Sequence, residues 1–213
     1  AVSLVTSVDA LIAANFRTGN EAFYGADAVL GWAMIDLQGV SDWNGVLRGA
    51  VRSSLADGLP SGIRVMADGT RIDLNQIVNM ANCQKLTACT SSDMDARTGE
   101  RPWGVNNPRW VLYAYGSLKD IDPGGLVESP YYVMVLAGDD PSETDGDPVV
   151  DGASSAVAKN PGLGILGLRA EAFGPRGAHK VVEATIARYG EAESDAPSGG
   201  PWRVRMLSWR EVR

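Results

Sequence analysis

The sequence predicts an α+β fold in which one long N-terminal helix packs on an antiparallel sheet of four to five strands. Residues 1–38 show the periodicity of a single amphipathic helix. The last half of the chain contains five β-branched or aromatic runs separated by turn residues. One of these runs alternates apolar and polar positions, as in a sheet covered on one face. Helix and strands are segregated along the chain, which is typical of α+β proteins.

The N-terminal helix is indicated by an apolar stripe at steps of three, four and seven residues. Its members are Val5, Val8, Ile12, Phe16, Phe23, Ala26, Leu30, Ala33 and Leu37. At about 1.5 Å per residue the helix would be roughly 55 Å long, and a head of this size would not cover both ends. We therefore divide the chain into the helix, residues 1–38, and a globular head, residues 39–213. Because the pattern is already under way at residue 1, we expect the helix to continue upstream.

The next segment, residues 39–108, predicts short elements. The sequence Ser41-Asp42-Trp43 predicts a cap followed by a short amphipathic turn. Two short segments, residues 63–66 and 70–73, flank Asp68 and Gly69, a pair that tolerates the positive φ values of a two-residue hairpin turn. We expect a β-hairpin there.

Asp73 is placed to cap a further short helix that reaches about Met80. Residues 90–108 are rich in Ser, Asp, Gly, Asn and Pro without periodicity, so they predict a loop. Trp103 is expected to attach this loop to the core.

The two cysteines, Cys83 and Cys89, lie close together in a chain with one histidine. A zinc site of ordinary spacing needs four ligands, so it is excluded. The favoured interpretation is a disulfide closing a short loop, which would place the head outside the cytoplasm. Two reduced cysteines in a cytosolic loop are the alternative.

The second half of the head predicts the sheet. The strand runs are residues 110–116, 131–137, 163–173, 178–189 and 202–209. The tight link from residue 173 to residue 178 predicts an antiparallel hairpin. In the fourth run, Val182, Ala184 and Ile186 alternate with Glu183 and Thr185, so we expect one buried face under the long helix and one wet face.

Composition argues against a nucleic-acid-binding protein and against a membrane-spanning segment within these residues. The chain has 213 residues, 45% of them hydrophobic, with a net charge of −7 and a pI near 4.7. This is enough for one globular domain with a core, or for one and a half. A nucleic-acid-binding protein needs clustered Lys and Arg, which are missing here. No apolar run reaches the roughly eighteen residues needed to span a bilayer.

Six carboxylates crowd the connection between the second and third strand runs. They are Asp139, Asp140, Glu143, Asp145, Asp147 and Asp151. Oxygen ligands at such spacing, with a glycine for a sharp turn, suit Ca²⁺. The spacing imitates part of an EF-hand loop but lacks its final Glu. Three interpretations of these residues stay open: calcium binding, a mobile acidic loop and a partner-binding surface.

The sequence carries no catalytic motif. His179 has no serine in an elbow sequence to serve, so a nucleophilic triad is not indicated, and we predict that the chain is not an enzyme. The aromatic residues of the strands fit either core packing or a sugar-stacking platform. They are Trp103, Trp110, Tyr113, Tyr115, Tyr131 and Tyr132.

Both ends of the chain resemble one family. Residues 11–17 (Leu-Ile-Ala-Ala-Asn-Phe-Arg) and 21–28 (Glu-Ala-Phe-Tyr-Gly-Ala-Asp-Ala) resemble the second half of the N-terminal helix of PilX-type minor pilins of type IV pili. Residues 168–183 (Leu-Arg-Ala-Glu-Ala-Phe-Gly-Pro-Arg-Gly-Ala-His-Lys-Val-Val-Glu) and 207–212 (Leu-Ser-Trp-Arg-Glu-Val) resemble the C-terminal hairpin and last strand of the same group. The resemblance leaves residues 39–109 unexplained.

The resemblance implies a subunit whose upstream apolar half-helix anchors it in the inner membrane, with the head in the periplasm, and later packs inside an extracellular pilus. Its implied partners are other minor pilins, the major pilin and a tip adhesin of the PilY family. It implies roles in priming pilus assembly, cell adhesion and twitching motility. The helix face expected to serve assembly comprises Val5, Val8, Ile12, Phe16, Phe23 and Leu30. The alternative is a secreted or periplasmic ligand-binding module that uses the acidic loop or the aromatic face.

Overall fold

The computed structural model describes residues 2–96, 103–121, 128–143, 145–152, 163–189 and 203–212, with only the backbone of residues 2–7. Over these residues the predicted α+β arrangement is confirmed. The long N-terminal helix packs on one face of a five-stranded antiparallel sheet, and a hairpin forms a separate two-stranded sheet.

The helices are α1 (Val2–Asp36, followed by a 3₁₀ turn, Leu37–Gly39), α2 (Trp43–Leu47), α3 (Leu74–Cys83) and α4 (Ser91–Asp95). The strands are β1 (Ile63–Val65), β2 (Arg71–Asp73), β3 (Val111–Ser117), β4 (Tyr132–Asp139), β5 (Ile165–Phe173), β6 (His179–Tyr189) and β7 (Arg203–Val212). Strands β3 to β7 lie side by side in chain order, each antiparallel to the next. The predicted hairpins, β1 with β2 and β5 with β6, are both present.

The main core lies between the C-terminal half of α1 and the sheet. Its helix residues are Ala22, Ala26, Val29, Leu30, Ala33 and Leu37, and its strand residues include Val133, Val135, Ala170, Val182 and Ile186. The helix and the sheet are in direct contact at Gly25. A Cβ there would lie 3.4 Å from the Leu118 side chain and 3.5 Å from Ala172, which are ordinary van der Waals distances. The predicted apolar stripe therefore forms the core, but only along half of the helix.

A second core covers the opposite face of β3 and β4. Tyr115, Met134 and Leu136 pack there against Leu74 of α3 and Ile72 of the hairpin. Because α1 covers one face and α3 with the hairpin covers the other, every residue of β4 is buried. This explains why β4 is a continuous apolar run in the sequence while β6 alternates.

The structure corrects two predictions for residues 90–108. Residues 91–95 form helix α4, begun by a capping box in which Thr90 and Asp93 each accept a hydrogen bond from the other's backbone N–H. The sequence of residues 90–93, Thr-Ser-Ser-Asp, has the capping-box pattern with Asp in the place of the usual Glu or Gln. Trp103 is half exposed and does not attach the loop to the core.

The far face of β5 and β6 also differs from the wet face that alternation predicts. Glu171 and Glu183 are both buried. Arg169 links them, with Nε 2.6 Å from Glu171 Oε1 and Nη1 2.9 Å from Glu183 Oε1. Arg210 from β7 lies 2.6 Å from Glu183 Oε2, and His179 lies 2.8 Å from Glu171 Oε2. An ion network across three strands replaces the expected open polar surface.

Asn82 should be important for stability, because its side-chain amide forms two hydrogen bonds with the backbone of Trp110, as the backbone of a neighbouring strand would. Its Nδ2 donates to the Trp110 carbonyl at 2.9 Å and its Oδ1 accepts from the Trp110 N–H at 2.7 Å, in a buried position. We expect Asn82→Ala to lower the free energy of unfolding by about 2–4 kcal/mol, since two buried backbone groups lose these hydrogen bonds.

Urea unfolding checks this prediction, with Asn75→Ala as the control on the exposed side of the same helix. The control should change the free energy of unfolding by about 0.5 kcal/mol or less. Equal effects of the two variants would contradict the role given to Asn82.

Candidate functional site

The first candidate site is the predicted assembly face of α1. In the structure, one part of this face is exposed and the other part is buried. Val8, Ile12 and Phe16 are 53%, 61% and 71% exposed. Phe23 is partly buried and meets the Trp209 ring edge-on, with the ring centroids 5.8 Å apart. Leu30 is completely buried in the core, so it is not available to a partner. Val5 lies in the part of α1 whose side chains are not described.

The division occurs where the sheet ends beneath the helix. The Tyr131 hydroxyl lies within hydrogen-bond distance of two acceptors, the Thr18 carbonyl at 3.1 Å and Glu21 Oε2 at 2.9 Å. Arg17 pairs with Glu21 at 2.7 Å on the surface. Val8, Leu11 and Ile12 lie beyond this contact, on the same side of the helix as the core residues. Leu11, which is 60% exposed, also belongs to this face. It was not among the residues predicted for the face, although its spacing of three residues from Val8 indicates the same side of the helix.

The second candidate site is a cluster of three buried carboxylates. Asp139 is the last residue of β4, Glu143 follows four residues later, and Asp151 precedes β5. Each side chain offers an oxygen that lies within 4.8 Å of the other two, and the residues are only 3%, 1% and 5% exposed. We call these three residues the acidic cluster; as a set of oxygen donors it could hold a metal ion.

Two glycines shape the backbone around the acidic cluster. The Gly152 N–H donates to both Glu143 carboxylate oxygens at 3.1 Å, and the Gly164 N–H donates to Asp151 Oδ1 at 2.6 Å. Both glycines have positive φ, 79° and 81°. A Cβ at Gly152 would lie 2.8 Å from the Leu163 side chain, so only glycine fits this close turn.

Burial makes the ionised form of these carboxyl groups costly. It raises the pKa of Asp139 to about 8, with the charge of Glu143 adding to the effect. Burial likewise raises the pKa of Glu143 to about 7, against the hydrogen bond from Gly152. The pKa of Asp151 is also raised by burial, although Gly164 and Arg188 oppose the change. Asp139 Oδ1 is buried and has no hydrogen-bond partner in the described part of the chain.

The other three predicted ligands lie outside the acidic cluster and hold local turns. Asp140 accepts hydrogen bonds from the N–H and hydroxyl of Ser142, at 3.0 and 2.5 Å. Asp145 accepts from the Asp147 N–H at 2.9 Å, and Asp147 accepts from the Val149 N–H at 3.4 Å. The EF-hand-like spacing is therefore not what brings the cluster together.

Two candidates from the sequence remain, His179 and the aromatic residues of the strands, and the contacts of each are structural. His179 stacks on the Phe173 ring, with the ring centroids 4.3 Å apart, and binds Glu171. The aromatic residues do not form one platform: Tyr113 and Tyr131 face the main core, while Trp110, Tyr115 and Tyr132 belong to the second core.

The predicted disulfide is present at the end of α3. Cys83 and Cys89 are bonded, with their Cα atoms 6.0 Å apart. The helix ends at Gln84, which adopts the left-handed conformation and starts the loop that the disulfide closes. This bond stabilises the head by restricting the unfolded chain.

In the described part of the chain, no helix combines the length and apolar character needed to cross a membrane. The chain matches no protein-family model, no curated protein and no solved structure.

Proposed function

We propose that this chain belongs to a minor pilin of a type IV pilus, a structural subunit that assembles through the exposed half of α1. The single observation that supports it most is the apolar face formed by Val8, Leu11, Ile12 and Phe16 beyond the end of the sheet. The resemblance of both ends of the chain to PilX-type minor pilins gives this face a partner, the equivalent helix of a neighbouring subunit.

Apolar surface that stays exposed to water is unfavourable. These side chains continue the stripe that forms the core, but no part of the described head covers them. Full burial of one such side chain contributes about 1.5–3 kcal/mol. A second helix packed along this face would bury several at once, as in helix bundles. Assembly with like helices therefore accounts for a stripe that the head leaves uncovered.

The proposal extends to partners and location. The neighbours are other minor pilins and the major pilin, with a PilY-family adhesin at the tip. The subunit is held in the inner membrane with its head in the periplasm before assembly, and lies in the extracellular pilus afterwards. Its role is to prime the filament that serves adhesion and twitching motility, and it is not catalytic.

Ile12→Asp tests assembly in the organism that makes the protein. A charge at this exposed position leaves the head folded but makes burial against another helix unfavourable. We expect about tenfold fewer surface filaments by electron microscopy, equivalent to about 1.4 kcal/mol of lost assembly energy.

Ala10→Asp is the matched control, since Ala10 is exposed about 160° around the helix from Ile12. It should leave the number of filaments unchanged. Normal piliation by the Ile12→Asp strain, with the protein present at its usual level, would refute the proposal.

For the cofactor we propose Ca²⁺, bound by Asp139, Glu143 and Asp151. Hard oxygen ligands suit this ion, whereas zinc prefers sites with sulfur or nitrogen ligands. Asp139 Oδ1, buried without a partner in the described residues, is the second observation that points to a ligand.

The acidic cluster also favours a second candidate function, a secreted or periplasmic ligand-binding module. The N-terminal sequence of the native protein distinguishes the two. An apolar segment running into α1 behind a short processed leader supports the pilin, whereas a secretory peptide cleaved just before residue 1 supports the binding module.

A further inference from the structure

We propose that a calcium ion bound by Asp139, Glu143 and Asp151 clamps the connection between β4 and β5 onto α2 and β6. This inference rests on the proposed calcium site and is independent of the pilus role. The ion would have a structural role, because it would hold together, at one corner of the head, chain segments that are far apart in sequence.

The acidic cluster is incomplete without a cation. Three carboxylates with oxygens within 4.8 Å of one another repel when ionised, and little water reaches them to screen the charge. Asp139 Oδ1 is buried without a hydrogen-bond partner among the described residues. A buried acceptor that stays unsatisfied costs about 1–3 kcal/mol, more when it is charged. A bound cation would remove the repulsion and satisfy this oxygen.

The dimensions suit calcium. Ca²⁺ binds oxygen at about 2.3–2.6 Å, so oxygens on one ion lie at most about 5 Å apart. The 4.8 Å limit for the acidic cluster falls inside this range. Three carboxylates supply up to six oxygens, each group binding through one or both. Mg²⁺ requires a smaller and more regular shell, at about 2.0–2.1 Å, and keeps its waters, which a buried cluster accommodates poorly.

Asp151 connects the proposed ion to two other elements. Its N–H donates to Asn44 Oδ1 on α2 at 2.7 Å, and its carboxylate lies 3.6 Å from Arg188 Nη2 on β6. Arg188 also donates to the Ser41 carbonyl at 2.9 Å, and its guanidinium lies 4.8 Å from the centre of the Trp43 ring. An ion bound to Asp151 would therefore fix α2 and β6 as well as the strand connection.

Glu143 and Asp139 join the connection to the sheet. Asp139 ends β4 and pairs in register with Leu166 of β5. Glu143 is attached to the rest of the connection through its two hydrogen bonds from Gly152. With the ion bound, opening the connection would require both loss of these bonds and loss of metal ligands. We expect the bound state to protect the local backbone amides.

The test combines calorimetry with residue-resolved amide hydrogen exchange by NMR on the chain, first treated with chelator and then titrated with CaCl₂. We expect one Ca²⁺ per chain, with MgCl₂ binding about tenfold more weakly or less. Calcium should slow exchange of the Gly152 and Gly164 amides by about tenfold or more, since local opening must release the ion.

Asp139→Asn should weaken calcium binding about tenfold or more, and Glu143→Gln is the second variant if the first does not fold. Asp147→Asn is the matched control, with the same charge change in the same connection but outside the acidic cluster. It should leave the affinity within about twofold.

The outcomes are distinguishable. No heat at millimolar Ca²⁺ would refute both the calcium site and the clamp, without touching the pilin proposal. Equal losses in Asp139→Asn and Asp147→Asn would mean a diffuse acidic surface and refute the site. Calcium binding that leaves the exchange of Gly152 and Gly164 unchanged would refute the clamp and leave the site standing.

Discussion

Arg169→Met should lower the free energy of unfolding by about 3–5 kcal/mol, the range expected when one partner of a buried ion pair is removed. Arg169 is mostly buried between two carboxylates that are themselves buried, at 2.6 Å from Glu171 and 2.9 Å from Glu183. Methionine retains the apolar stem of the side chain but not the charge. The two strands would then hold two acidic groups with one less cation to compensate them.

The pH dependence of stability should change in the same variant. Burial alone would raise the pKa of Glu171, but the hydrogen bond from His179 and the charge of Arg169 outweigh it, so the pKa is lowered. A carboxyl group with a lowered folded pKa stabilises the protein above its unfolded pKa, and this stabilisation is lost as the pH falls through the folded value. Without Arg169 the folded pKa rises, so acid unfolding should begin at a higher pH.

Urea unfolding near neutral pH and acid titration followed by circular dichroism measure these two effects. Arg17→Met is the control, because Arg17 forms a surface pair with Glu21 at 2.7 Å. Exposed pairs of this kind contribute little, so its stability should be unchanged within experimental precision. A fully stable Arg169→Met protein would show that the network across β5, β6 and β7 does not stabilise the sheet.

Leu30→Ala should cost about 2–5 kcal/mol, as expected when a large side chain is truncated inside a packed core. Leu30 is completely buried where α1 crosses the sheet. Leu11→Ala is the same substitution on the same helix, at a position that is 60% exposed. It should cost about 0.5 kcal/mol or less.

Thermal or urea unfolding of this matched pair tests the division of α1 into a packed half and an exposed half. A large cost in Leu30→Ala and a small one in Leu11→Ala are expected together. If Leu11→Ala destabilised the isolated chain as much as Leu30→Ala, the first turns of α1 would be packed in solution. The exposed half would then not be free to bind another subunit.

Much of the fold could be predicted because the signals are local. The length of α1 follows from a periodicity that persists over many turns. The β1–β2 hairpin follows from Asp68 and Gly69, and α3 follows from its cap, Asp73, which accepts hydrogen bonds from the next turn. The missed helix, α4, had only a short capping signal in a segment without apolar periodicity.

The candidate sites were less predictable because each depends on distance in space. The carboxylates of the β4–β5 connection look equivalent in the sequence, but only Asp139, Glu143 and Asp151 meet. Their spacing of four and then eight residues has no period. They converge because Asp139 ends β4, whereas Asp151 is held beside the start of β5 by its hydrogen bond from the Gly164 N–H. Local patterning carries no information about that convergence.

The sequence by itself determined the α+β class, the long helix, the strands and the side of α1 that is apolar. These follow from periodicity and turn chemistry, which act over a few neighbouring residues. Only the tertiary structure decided that Leu30 lies in the core while Ile12, on the same stripe, is exposed, because this depends on where the sheet ends beneath the helix. It also decided that Glu183 is buried, because Arg169 and Arg210 reach it from the two neighbouring strands.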